Sequence, residues 1–340
     1  MLREDLVTFP ELSHQEFQHS LDREATGILK GIDKFKSIIG TLNGYFEHAQ
    51  HYYNSSSCAR VSETQYPSLY RAYVKMAQVL DVQKLPDLYV ETIDEINAFA
   101  TGIDRYSITI NSGLLDIMTE REALAIIGHE LGHVKCDHMF YNTFTYFLRY
   151  FGTSIMSVIP PPFNSALDIS VQLALLEWSR RAEFSADRAA LLTTQDVAAV
   201  TEALSKLAGY SKTLSDPVSV EGIRLQANTF EEYVDDSWMA KLIKVQSMLR
   251  QTHPYTVLRV KEILAWSESD HYKNMLSGHY QKRTATAAVT KDPDALVDPN
   301  RTDGSAAQKA AAALSSSLTS GLKGFGGFGK KPQAGTDGSN

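Results

Sequence analysis

Two histidines, His129 and His133, stand four positions apart in the stretch "IIGHELGHVKCDH", and Glu130 directly follows the first. Residues four apart on an α-helix lie on the same face, so both imidazoles can reach one tetrahedral zinc ion. Glu130 lies at the edge of that face, where its carboxylate can act on water without occupying a coordination position. In an apolar run such groups are costly to bury unless something binds them. The pattern predicts two ligands and the base of a catalytic zinc site, in preference to a core helix with satisfied histidines.

A catalytic zinc site needs a third protein ligand and one open position. The helix that carries the two histidines does not supply that ligand. Met139 stands where the extended form of the motif has a third histidine, and Cys136 lies too far along the helix from His129. His138 is predicted to point to another side of the helix. The third ligand must therefore come from a different element.

The downstream stretch "SRRAEFSADRAALL" places Glu183 and Asp187 four apart on a second helix, among small residues that allow close approach to another backbone. We predict that Glu183 completes a His-His-Glu site and that Asp187 accepts the N–H of a ligating imidazole, which fixes its tautomer. Glu177 and Asp168 fit less well as ligands. The alternative interpretation is a solvated acidic face, paired with neighbouring arginines.

Four stretches, "NAFATG", "GHELGH", "EFSAD" and "HPYTVLR", occur in this order between about Pro67 and Ser267. Because it contains these four stretches in this order, the chain resembles the HtpX-like family of zinc metallopeptidases, which includes the CAAX prenyl endopeptidases. The resemblance implies a gluzincin-type endopeptidase that binds one zinc ion per chain through His129, His133 and Glu183, with Glu130 as general base.

The resemblance also implies roles for residues outside the zinc motif. His253 and Arg259 match family residues that polarise the scissile carbonyl or hold the site together, and we predict that His253 donates to the oxyanion. The alternative for His253 is a helix cap or a surface histidine. "NAFATG" matches an edge strand beside the cleft, although an ordinary inner strand is the alternative. Substrate is predicted to add there as a strand, along Asn97, Ala98, Phe99 and Ala100.

The elements that must position these residues are mostly helical. Three short strands precede the motif helix, and in the last, "YSITIN", Tyr106, Ile108 and Ile110 alternate with polar residues, which predicts a half-buried strand. Thr119 is predicted to cap the motif helix. The expected fold is α+β and zincin-like, with a small antiparallel sheet beside that helix. Further helices are predicted over 11–49, 67–80, 166–192, 197–210, 233–249 and 254–267.

The composition suggests three parts. Residues 1–65 are expected to form a helical segment that packs on the core, and residues 66–280 the zinc metallopeptidase domain. Residues 281–340 are rich in Ala, Gly and Ser, which predicts a disordered tail. His14, His19, His271 and His279 are expected at the surface.

Residues 139–166 are predicted to form an aromatic hairpin inserted in the domain. Arg149 and three consecutive prolines interrupt this run, which favours a buried or interfacial hairpin over a membrane span. The chain therefore resembles the soluble or peripheral branch of the family, with peripheral membrane contact possible through residues 140–163. A prenylated, membrane-embedded substrate fits this branch less well.

The overall composition narrows the function further. A net charge of −7 without a dominant basic patch argues against nucleic acid as a partner. Two cysteines and the lack of a signal-peptide pattern predict a cytoplasmic location. The leading hypothesis is an endopeptidase that acts on extended or unfolded polypeptides, as in protein quality control. The alternative is a non-cleaving, zinc-containing chaperone-like or membrane-associated binding module, which would not need Glu130.

Overall fold

The computed structural model describes residues 2–30, 33–143, 145, 169–214, 216–232 and 255–283. The predicted mostly helical α+β fold is confirmed. The strands are β1 (Ala59–Arg60), β2 (Asp87–Glu91), β3 (Ala98–Thr101) and β4 (Ser107–Asn111). The helices are α1 (His14–Phe17), α2 (Ser20–Lys30), α3 (Asp33–Ser57), α4 (Pro67–Val79), α5 (Ser112–Leu115), α6 (Glu120–Lys135), α7 (Ile169–Thr194), α8 (Val197–Gly209), α9 (Val220–Glu232), α10 (Thr256–Glu268) and α11 (Asp270–Leu276).

The four strands form one sheet in the order β1-β2-β4-β3. This sheet is mixed and not purely antiparallel as predicted, because β2 and β4 run parallel while β1 and β3 are antiparallel to their neighbours. The parallel pair arises because β3 folds back on the outer side of β4 and does not come between β2 and β4. β3 is therefore an edge strand of the described sheet, and it packs beside α6.

β4 is buried on both faces, so the prediction of a half-buried strand is wrong. Ile108 and Ile110 face the hydrophobic core, and α3 covers the polar face. The Asn54 amide donates to the hydroxyls of Ser107 and Thr109 at 3.4 and 3.2 Å. The polar residues of the alternation therefore meet a helix and not solvent.

The segment before α4 packs on the body of the fold. Phe9, Leu12 and Phe17 are fully buried in the core. Leu12 also forms a β-bridge with Lys282, at the other end of the described chain. The predicted helix over 233–249 lies outside the described residues, as do nearly all of the aromatic hairpin and the tail from residue 284 onward. No helix in the described ranges has both the length and the apolar character needed to cross a membrane.

Candidate metal centre

The start of α6 is fixed by a capping box, as the sequence predicted for Thr119. The Thr119 side chain accepts from the N–H of Glu122, and the Glu122 carboxylate accepts from the N–H of Thr119 at 2.6 Å. Lys206 of α8 donates to the same carboxylate at 2.7 Å. These contacts satisfy N–H groups that a helix start otherwise leaves without partners. They define where α6 begins, and thus the face on which His129 and His133 lie.

Two glycines of α6 allow α7 to approach its backbone closely. A Cβ atom on Gly132 would lie 2.6 Å from the Ala189 Cβ and 2.9 Å from the Ala186 Cα. One on Gly128 would lie 2.1 Å from the Thr193 hydroxyl. Any larger residue at these positions would push the helices apart. The prediction that small residues on α7 permit close packing is thus confirmed, and this packing brings Glu183 to the two histidines.

Replacing Gly132 by alanine is expected to lower the free energy of unfolding by about 1–3 kcal/mol, the typical effect of overpacking a tight core. If the centre binds zinc, the affinity for zinc should fall as well, because α7 must move away from α6. Urea denaturation and zinc competition with a chelator measure the two effects. Gly27→Ala is the control, since a Cβ there meets nothing within 4 Å. Unchanged stability and affinity in Gly132→Ala would contradict the role assigned to close packing.

His129, His133 and Glu183 converge in the interior, at 2–3% exposure. The Nε2 atoms of His129 and His133 lie 3.5 Å from Glu183 Oε2 and Oε1, respectively. Among the described residues, these three form the group whose donor atoms all lie within 4.8 Å of one another. Tetrahedral zinc ligands at their usual bond length stand roughly 3.3 Å apart. The donor set and its spacing therefore fit one zinc ion, and they leave a fourth position for a non-protein ligand.

Glu130 follows His129 on α6 and is 1% exposed. Its charge contributes to the raised pKa of the Arg259 guanidinium, so it belongs to the electrostatic environment of the same site. It is not one of the three converging groups among the described residues. This placement suits a carboxylate that exchanges protons and does not bind the metal.

Asp187 and Arg259 contact two of the converging side chains, His129 and Glu183. Asp187 Oδ1 lies 2.9 Å from His129 Nδ1. The Arg259 side chain donates to both Asp187 oxygens, at 2.7 and 2.6 Å, and its Nη1 lies 3.0 Å from Glu183 Oε2. When His129 carries its proton on Nδ1 and donates it to Asp187, Nε2 is left with a lone pair for a metal. One guanidinium thus orients both carboxylates on α7.

The two imidazoles have opposite pKa shifts. Burial lowers the pKa of His129, but hydrogen bonds with Asp187 and Glu183 outweigh it and raise that pKa to about 9. Burial and the neighbouring charge of His129 outweigh the hydrogen bond with Glu183 and lower the pKa of His133 to about 3. Burial also works against ionised Asp187, yet Arg259 holds the pKa of that carboxyl below its ordinary value. His133 is accordingly neutral, which is the form that binds a metal.

Two residues near the site were missed from the sequence. His138 does not point to another side of the helix as predicted, since its Nδ1 lies 2.9 Å from His133 Nδ1. α6 ends at Lys135, and Asp137 adopts a left-handed conformation with φ of 60° that turns His138 back toward the site. Asp22 of α2, which no motif marked, contacts the other side of the His138 ring.

The remaining predicted site residues have different outcomes. His253 lies outside the described residues. Asn97 immediately precedes β3, and Ala98, Phe99 and Ala100 lie in it, at the edge of the sheet and beside α6. These positions are compatible with the predicted role in binding substrate.

Comparison with known sequences identifies the family. The model of peptidase family M48 matches residues 63–267. The chain belongs to this family. As an M48 member it is 31% identical over 284 residues to the plastoglobule-localized metallopeptidase 48, chloroplastic, of Arabidopsis thaliana, which covers 82% of this chain and 80% of that protein.

Bacterial HtpX homologues are also similar to this M48 chain. The protease HtpX homolog of Tropheryma whipplei (strain Twist) is 30% identical over 182 residues, or 47% of this chain and 62% of that protein. The homolog of Sulfurovum sp. (strain NBC37-1) is 26% identical over 200 residues, or 53% and 69%. No solved structure matches the chain significantly. The predicted resemblance to HtpX-like metallopeptidases is thus confirmed.

Proposed function

We propose that this M48 chain is a zinc-dependent endopeptidase that hydrolyses peptide bonds in extended or unfolded protein segments. The observation that carries the proposal is a buried cluster in which two imidazole nitrogens each lie 3.5 Å from an oxygen of one carboxylate, with Glu130 on the helix that carries the imidazoles. Membership of a metallopeptidase family supports a hydrolytic role. The choice of zinc follows from the donor types, because two histidines and one glutamate are a common catalytic zinc set.

The proposed roles follow from residue type and position. When bound, zinc supplies acidification of water and polarisation of the peptide carbonyl. His129, His133 and Glu183 would hold the ion, oriented by Asp187 and Arg259 as described above. Glu130 would take a proton from the attacking water and pass it to the departing amine. His253, which lies outside the described residues, remains our candidate donor to the oxyanion.

Replacing Glu130 by glutamine tests the general-base role and separates the two hypotheses for this chain. We expect hydrolysis of unfolded casein to fall by about 10²- to 10⁴-fold, the usual range for a lost acid–base group. Zinc content should stay at one ion per chain, because Glu130 is not a ligand in this proposal. Glu202→Gln, an exposed position on α8, is the control and should behave like the wild type. A wild type that binds zinc and casein but cuts nothing would favour the non-cleaving binding module.

The position of β3 at the edge of the sheet supports a mode of binding for an extended substrate. The N–H of Asn111 donates to the carbonyl of Asn97, so these opposed residues form a hydrogen-bonded pair. Such pairs alternate in an antiparallel ladder, which directs the N–H of Ala100 away from β4. The N–H of Gly102, two residues on, also points outward and donates to the Thr143 hydroxyl at 3.0 Å. We propose that substrate adds as a further strand along this outer side.

Replacing Ala100 by proline removes that outward N–H and is expected to slow cleavage of casein strongly while zinc content is retained. Proline cannot donate to a ladder, and the bonds between β3 and β4 do not use this N–H. Ala100→Gly keeps the N–H and should cleave nearly normally. Casein hydrolysis by the two variants at equal zinc content is the measurement. A proline variant that folds, binds zinc and cuts casein at the wild-type rate would rule out strand addition here.

The cellular location of this protein, and its contact with a membrane, form a separate proposal. The sequence predicts the cytoplasm, with peripheral membrane contact through residues 140–163, nearly all of which lie outside the described residues. The name of the Arabidopsis relative assigns that protein to plastoglobules and the chloroplast. Cell fractionation and flotation of the protein with liposomes test the two parts of the proposal.

A further inference from the structure

Two consecutive hydrogen bonds connect the ligand His133 to the N-terminal segment. His133 Nδ1 lies 2.9 Å from His138 Nδ1, and His138 Nε2 lies 2.9 Å from Asp22 Oδ2. His138 and Asp22 are both fully buried. The His138 ring is also enclosed by Trp178, whose ring centre lies 5.5 Å away at an interplanar angle of 88°. The ring therefore has one fixed position between the ligand and the carboxylate.

The proton positions along this connection follow from the donor and acceptor types. His133 directs Nε2 at Glu183, so a metal there requires that nitrogen to be without a proton. The proton of neutral His133 then lies on Nδ1, and His138 Nδ1 must accept it. His138 consequently carries its own proton on Nε2 and donates it to Asp22. Every hydrogen bond of this connection then has one donor and one acceptor, because the ionised Asp22 carboxylate at its end can only accept.

Three further hydrogen bonds also use the Asp22 carboxylate as their acceptor. Its carboxylate accepts from the Ser185 hydroxyl at 2.6 Å, the Gln18 amide at 2.9 Å and the Thr26 hydroxyl at 3.0 Å. Although burial disfavours the charge, His138, Ser185 and Gln18 hold the pKa of Asp22 well below its usual value. Ser185 lies on α7, two residues after Glu183, so the same carboxylate is tied to the helix that provides the third ligand.

We propose that His138 and Asp22 are positioning residues that fix the tautomer and orientation of His133 for metal binding. The inference rests on the proposed function, since it assumes a metal on His133. It adds that the N-terminal segment completes the metal centre, because Asp22 lies well before residue 63, where the family match begins. Ligating histidines usually donate directly to a carboxylate, a carbonyl or water. Here a second histidine, His138, lies between the ligating histidine and the carboxylate and forms a hydrogen bond with each.

The first test compares two substitutions of His138. Asparagine can place its side-chain oxygen near the position of Nδ1 and accept from His133, whereas phenylalanine fills the space without an acceptor. We expect His138→Phe to weaken zinc binding by about 10- to 100-fold, the usual effect of losing such a partner. His138→Asn should recover most of that loss. Zinc affinity is measured by competition with a chelator, which requires no substrate, and circular dichroism verifies the fold.

The second test reverses the hydrogen bond at Asp22. In Asp22→Asn the amide can donate to His138 Nε2, which favours the opposite tautomer in both rings and places a proton where His133 should bind the metal. Zinc affinity should fall by a similar factor, about 10- to 100-fold, and the visible spectrum of the Co²⁺-loaded protein should change. His19→Ala is the control. His19 is buried in the same segment, where it contacts Glu262 at 3.1 Å, but it lies outside the connection to His133.

The outcomes separate the inference from the proposed function. If the wild type binds no zinc, the proposed function fails and the inference fails with it. If the wild type binds zinc and both His138→Phe and Asp22→Asn bind it equally well, the inference alone is overturned. If His19→Ala weakens zinc binding and alters the Co²⁺ spectrum as much as Asp22→Asn does, the N-terminal segment acts only through general stability, which also overturns it.

Discussion

Zinc binding is expected to be lost when Glu183 is replaced by alanine, while replacement of Glu130 by glutamine leaves it intact. In our assignment Glu183 provides the third ligand, and two imidazoles on one helix cannot hold the ion tightly alone. The loss should exceed the 10- to 100-fold effect expected for partners behind the ligands. Metal analysis after dialysis, together with chelator competition, gives stoichiometry and affinity. Casein hydrolysis should be lost in Glu183→Ala, which lacks a ligand, and should fall by about 10²- to 10⁴-fold in Glu130→Gln, which lacks the base.

A matched control is available at another buried carboxylate. Glu262 lies on α10 at 4% exposure and contacts Arg188 and His19, each at 3.1 Å. Glu262→Gln should lower stability without changing zinc stoichiometry, because Glu262 is not one of the three groups that converge at the metal centre. If Glu183→Ala retained full zinc occupancy, the ligand assignment would be wrong and Glu177 and Asp168 would be the next residues to test.

Replacement of Arg259 by leucine should produce the largest loss of stability. Arg259 is 2% exposed and compensates the charges of Asp187 and Glu183. Removing one partner of a buried ion pair leaves an uncompensated charge and typically costs about 3–5 kcal/mol. Saturating zinc should restore part of the loss, since the cation compensates Glu183. Urea denaturation with zinc and with excess chelator measures both quantities.

A surface arginine provides the comparison for Arg259. Arg224 forms an exposed pair with Glu221 on α9, where solvent screens the interaction. Arg224→Leu should therefore change stability little. A double variant, Arg259→Leu with Asp187→Leu, should be more stable than Arg259→Leu alone. It also removes the Asp187 carboxylate, which would otherwise stay buried without its arginine partner. A loss in Arg259→Leu no greater than that in Arg224→Leu would contradict the role assigned to Arg259.

Some of the site could be read from the sequence because helical periodicity is local. Four-residue spacing places His129 and His133 on one face, and it does the same for Glu183 and Asp187. The small residues of α7 indicated that it could approach another helix. The three strand segments were also recognisable, since turn residues and alternation mark them. In these cases the information lies within a few consecutive residues.

Other features depend on contacts between distant segments, which a local pattern does not contain. His19 was expected at the surface, yet it is 1% exposed because α2 packs on α7 and the His19 ring contacts Glu262 of α10. His138 was assigned by extending the periodicity of α6 past its end, where Asp137 takes a positive φ that sequence rarely reveals outside glycine. Asp22 resembles any acid in the first turn of a helix until its partner, 116 residues away, is known. The second face of β4 was misjudged for the same reason.

The contact of Arg259 with Asp187 spans 72 residues, and its contact with His129 spans 130. During synthesis, α6 and α7 are therefore complete well before the guanidinium that compensates their carboxylates has left the ribosome. Until α10 docks, enclosing Asp187 and Glu183 without zinc would bury these carboxylates without the arginine that contacts both, which opposes closure of the site. We therefore expect the metal centre to form late in synthesis, after most of the chain has been made. Until then, a metallopeptidase of this design would lack a complete site.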